Sequence, residues 1–78
     1  MTSQQKWEQT LAMQRSLGYI EGGERASREY HHYVTSGFDE KRRPEANMPL
    51  SYNRLSEEKR AYWDGHGSGW RSALPRMR

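Results

Sequence analysis

Ten of the thirteen cationic residues are arginine, and three Trp and five Tyr are interleaved with them. A guanidinium is a planar fork that grips phosphate in a bidentate manner and stacks on bases. Interleaved Tyr and Trp can hold unpaired RNA bases by stacking. The residues whose type and placement suit contact with RNA are Arg15, Arg25, Lys41, Arg42, Arg43, Arg54, Arg60, Arg71 and Arg76. The competing demand is the core. A chain this small needs its large aromatics inside, so Trp63 and Trp70 are assigned to packing rather than to bases. The formal net charge of +3 and pI near 9.5 lean toward an anionic partner. Ten acidic residues are mixed in, so this is no polybasic tail.

Other chemistry finds less support. His31 and His32 are adjacent, which points them about 100° apart on a helix, so they do not share one ion in the usual way. His66 falls within an apolar stripe and is expected to be a packed, hydrogen-bonded core histidine. Cysteine is absent, which removes disulfide frames and thiolate metal sites. No Gly-rich phosphate loop or zinc helix motif is present, and Gly65-His66-Gly67-Ser68-Gly69 lacks the frame of a serine elbow. Nor does so short a chain leave room for a deep, water-excluding pocket. The expectation is a non-enzyme without cofactor or metal.

The elements that position these residues follow from size and punctuation. Seventy-eight residues make one small domain, with 32% hydrophobic residues to build a thin interior. No apolar run approaches the roughly 20 residues of a membrane span, and Met1 to Lys6 lacks a secretory apolar stretch, so a cytoplasmic location away from membranes is expected. Thr2 and Gln5 form a capping pair at the head of a helix over about 3–36. Trp7, Leu11 and Gly18 fall on one side of it; Met13, Leu17 and Ile20 fall on another. Beyond them Tyr19, Gly22, Ala26, Tyr30 and Tyr33 make a stripe. Gly22-Gly23 is its weak point, where the helix either kinks or runs through. Gly37 suits a left-handed cap. Residues 37–55 read as a long charged loop broken by Pro44 and Pro49. Ser56 caps a second helix over about 56–74, with Glu57 and Glu58 at the positive end of its dipole. Pro75 stops it and leaves a basic tail, 75–78. The fold class is all-α, with two main helices.

Helix two carries three glycines at alternate positions, each costing about 1 kcal/mol relative to Ala in a helix interior. Packing against a partner backbone would offset that cost. Gly18 and Gly22 are four apart, as are Gly65 and Gly69, so each pair opens one flat patch. The two helices are therefore expected to cross through these patches, with Tyr19 and Trp70 filling the flanks and Trp63 in the core they expose. Helix breaks at Gly22-Gly23 and at Gly65 to Gly67 are the alternative.

Four stretches also resemble those of a known family. Arg15-Ser16-Leu17-Gly18-Tyr19-Ile20-Glu21-Gly22 looks like the first-helix signature of ribosome modulation factor, a basic residue followed by Gly-Tyr-x-x-Gly. Asn47-Met48-Pro49-Leu50 sits where that family has a short segment ending in proline and an aromatic. Arg60-Ala61-Tyr62-Trp63 and Gly69-Trp70-Arg71-Ser72-Ala73 resemble its second-helix signature, Arg-x-x-Trp followed by Gly-Trp-Arg-x-Ala. The likeness covers about residues 15–74. The chain departs from the family in its longer interhelix segment, in about four extra residues between Trp63 and Gly69, in lacking the family's cysteine before the central proline, and in its lower charge.

The resemblance implies two helices joined by a loop, crossing through the glycine patches. It also implies binding to the small ribosomal subunit near the messenger exit region, silencing translation and promoting ribosome dimers. A ribosome- or RNA-binding regulator is the leading expectation. The competing class is a protein-binding inhibitor, for example one carried by a phage or plasmid and acting on a host protein complex, with Trp7, Glu21, Glu24 and Tyr30 facing the partner. A third is a homodimer in which a second copy completes the drifting apolar stripe.

Overall fold

The computed structural model describes residues 2–45 and 48–74. Helix α1 spans Ser3–Thr35 and helix α2 spans Glu57–Ala73. Two short 3-10 turns, Glu40–Arg42 and Tyr52–Arg54, lie in the connection between them. The all-α fold and both helix ranges match the sequence expectation to within about one residue.

Local chemistry accounts for the ends. At the start of α1, Gln5 N–H donates to Thr2 Oγ1 at 3.2 Å and Thr2 N–H donates to Gln5 Oε1 at 2.9 Å, a reciprocal capping box. At its end Phe38 N–H donates to the Tyr33 carbonyl at 3.0 Å and Gly37 N–H to the Val34 carbonyl at 3.1 Å. This is the Schellman pattern, completed by an edge-on contact of the Phe38 and Tyr33 rings at 5.4 Å. Gly37 supplies the left-handed turn at φ 76°, and Phe38 also takes a positive φ of 62°. Phe38 is held there by the two ends of the motif, its N–H and its ring. Helix α2 begins where Ser56 Oγ accepts the Lys59 N–H at 3.3 Å, with Glu57 and Glu58 in its first turn.

The helices meet backbone to backbone. A Cβ placed on Gly18 would lie 1.9 Å from the Tyr62 carbonyl oxygen, and one on Gly22 would lie 2.2 Å from that of His66. Reciprocally, a Cβ on Gly65 or Gly69 would lie 2.0 Å from the Arg15 or Tyr19 carbonyl oxygen. Only hydrogen fits at these four positions. The expected crossing is the observed one, and neither glycine cluster breaks its helix. Gly22-Gly23 runs through because α2 lies along it, so packing outweighs the local cost that made the pair look weak.

Positions along α2 advance with positions along α1. Trp7 meets Glu57, Gln14 meets Glu58, Gly18 meets Tyr62, Gly22 meets His66, and Gly23 lies nearest Gly69 and Ala73. The two helices thus run in the same direction, and the connection must travel back along α1. This is the physical reason for its length. The molecule is elongated, 53 × 23 × 17 Å, set by the roughly 50 Å length of α1.

The core is correspondingly thin: Leu11, Ala26 and Tyr33 of α1 and Ala61, His66 and Trp70 of α2 are buried around the glycine contacts. Trp70 is 3% exposed, as expected of a flank filler. Tyr19 is not one. The residue is 48% exposed while its carbonyl forms the contact with Gly69, because backbone approach leaves no room beneath that side chain. Trp63 is half-buried at the edge of the core.

Candidate nucleic-acid interface

The crossing fixes where the arginines stand. Arg15 belongs to the α1 turn whose carbonyl abuts Gly65, and Arg60 precedes the buried Ala61 on α2. Their side chains therefore line one groove of about 270 Å³, with Leu11, Tyr52, Glu57 and Asp64. The Tyr52 hydroxyl donates to Asp64 Oδ1 at 2.6 Å, which ties the second 3-10 turn to α2. That bond, with the negative charge of Asp64, raises the Tyr52 pKa above its usual 10.0.

The other cations are spread out. Arg25 pairs with Glu29 at 3.3 Å along the surface of α1. It lines a second cleft with Glu21, Glu24, Arg28, Trp63 and His66. Lys41 and Arg42 are exposed in the first 3-10 turn, where Asp39 Oδ1 accepts the Lys41 N–H at 3.1 Å. Arg43 approaches Glu40 at 3.7 Å. Arg54 is exposed in the second turn and Arg71 in the last turn of α2. Arg76 lies outside the described residues. Of the nine expected phosphate contacts, the fold gathers Arg15 and Arg60 in one groove; Arg25, Lys41, Arg42, Arg43, Arg54 and Arg71 stand apart from it.

The second cleft is floored by aromatic rings. His66 is 5% exposed and packs 5.0 Å from the Trp63 ring, 6.1 Å from Tyr62 and 6.2 Å from Trp70, the last stacked. Burial lowers its pKa, and the Arg25 charge adds to the effect. Its packing is as expected, but its ring makes no hydrogen bond to another described residue. Aromatic faces surround it instead. The Tyr62 hydroxyl donates to Glu21, and this bond, with burial, pushes the Tyr62 pKa up to about 12. Among the described residues, no three His, Asp or Glu side chains gather as metal ligands would. No described helix is long and apolar enough to cross a membrane.

Sequence reasoning missed Tyr52, Asp64 and Glu57 as members of the Arg15–Arg60 groove. Tyr52 lies in a turn with no helical periodicity, and no signal in its neighbours announced where the returning chain would touch α2. It also left Met13, Leu17 and Ile20 as an unassigned row. All three are exposed on α1, Met13 by 68% and Ile20 by 60%.

Compared with family models, with curated proteins and with solved structures, the chain shows no match.

Proposed function

We propose that this protein is a small, non-catalytic regulator that binds the ribosome, through its small subunit, or another structured RNA, and silences translation. One observation carries the reading. The helical stretches that resemble ribosome modulation factor, Arg15 to Gly22 on α1 and Arg60 to Trp63 with Gly69 to Ala73 on α2, lie on the two surfaces that meet at the crossing. Each surface brings an arginine to the same groove. Phosphate neutralisation dominates affinity for RNA and makes it salt-dependent. Engagement of about four arginines gives a log–log slope near −3, a loss of roughly 50-fold between about 50 and 200 mM salt. Co-sedimentation with small ribosomal subunits across that range measures it. A flat response removes the reading.

A second reading, a protein-binding inhibitor, is supported by the exposed row of Met13, Leu17 and Ile20 on α1. It predicts a partner captured with little salt dependence and lost in the triple serine variant. The same row is where a second copy of the chain would dock in a homodimer.

A further inference from the structure

The groove beside the first half of α2 holds four charged side chains that do not pair with one another. Two guanidinium groups and two carboxylates line it, and opposite charges this near would ordinarily pair. Here neutral donors hold the carboxylates. Glu57 Oε2 accepts the Trp7 indole N–H at 3.3 Å, and Asp64 Oδ1 accepts the Tyr52 hydroxyl at 2.6 Å. Next to them Glu58 Oε1 accepts the Gln14 amide at 3.3 Å. Neither Arg15 nor Arg60 makes an ion pair or a side-chain hydrogen bond to another described residue. Arg60 Nε is buried with no hydrogen-bond partner. A buried charged donor without an acceptor is costly and rare in folded proteins, and an acceptor supplied from outside is one way to satisfy it.

We infer that Arg15 and Arg60 form a notch that takes one phosphodiester group of an RNA strand, with the Tyr52 ring beside it. Two guanidinium forks match the oxygens of a phosphate. Glu57 and Asp64 in the same groove set the charge of the ligand: a doubly charged phosphate monoester meets two carboxylates, whereas a singly charged diester meets half that repulsion. The crossing holds the notch ready, because the Arg15 backbone is fixed against Gly65 and Arg60 adjoins buried Ala61. The inference rests on the RNA reading above and assigns it a specific contact.

The test uses the full chain, with the Arg60 Nε–H resonance followed by NMR during titration with a short single-stranded uridine oligonucleotide and, separately, with inorganic phosphate. The oligonucleotide is expected to shift that resonance saturably and phosphate to do so more weakly. Arg15→Gln, at an exposed position, is expected to weaken both the oligonucleotide and small ribosomal subunits about tenfold, the value of one charge-assisted contact. Arg60→Lys, which keeps the charge and loses Nε, is expected to do the same provided its melting temperature is retained; otherwise Arg15→Gln decides. If subunits bind with steep salt dependence but Arg15→Gln binds as tightly and the Arg60 resonance stays still, the notch is overturned and the RNA reading survives. If phosphate moves the resonance and RNA does not, the groove is a free-phosphate site and the diester assignment is wrong. If neither ligand moves it and subunits fail to bind, both readings fall.

Discussion

His66 is a titratable ring enclosed by Tyr62, Trp63 and Trp70, with the charges of Arg25, Glu21 and Glu29 facing it from α1. Burial disfavours its charged form, so its folded pKa lies below the ordinary 6.5. The unfolded chain then binds the proton more readily. The contribution to stability is fully present above about pH 6.5 and is lost as pH falls through the folded value. Melting temperature should therefore drop from neutral toward acid pH, and His66→Phe should flatten that drop relative to the parent. An equal acid slope in both proteins would show that His66 is not buried as a neutral ring. Tyr62 behaves in the opposite sense. Its pKa of about 12 is raised by the bond to Glu21, so its contribution is present below pH 10 and disappears as pH rises through about 12. Tyr62→Phe should remove that alkaline loss and cost about 1 kcal/mol at neutral pH, read by denaturant unfolding.

The glycines of α2 separate two effects that helix propensity alone merges. Gly67 has nothing within 4 Å of where a Cβ would stand, so Gly67→Ala should stabilise the protein by about 1 kcal/mol, the helix propensity difference. Gly69→Ala gains the same propensity but drives a methyl into the Tyr19 carbonyl, so it should lose about 3 kcal/mol, the upper range for overpacking. Opposite signs in chemical denaturation, two residues apart on one helix, are the signature of a backbone contact. The contact was legible in the sequence because four-residue glycine spacing on both helices has few other uses, and the caps at Thr2, Gly37 and Ser56 bounded the elements. What was not legible follows from the same contact. A carbonyl under a glycine leaves no side-chain pattern, so Tyr19 read as a packing ring when only its backbone packs. Gly22-Gly23 read as a weak point because propensity counts local cost and not the neighbouring helix. The Arg15–Arg60 groove needed Tyr52, a residue whose position depends on the path of the connection rather than on any periodicity.

That path is set by the direction of the helices, which residue patterns do not encode: glycine patches four apart pair equally well whether the helices run alike or opposed. Since Glu57 lies near Trp7 and Glu58 near Gln14, the chain leaving Thr35 must return along roughly 32–42 Å of α1, at about 1.5 Å per residue. Residues 36–56 reach at most roughly 75 Å when extended, which leaves slack for the two 3-10 turns. Deleting 45–48 leaves a reach of roughly 60 Å and should give a folded monomer. Deleting 37–50 leaves a reach of at most roughly 25 Å, too short for α2 to lie along its own α1 in the same direction. The glycine faces would still be complementary, so they should pair between chains, and light scattering should report a dimer in which helicity is kept. An opposed pair would tolerate the short connection within one chain. A monomer with unchanged melting temperature after the longer deletion would therefore reverse the direction assigned to α2, and with it the placement of Arg60 beside Arg15.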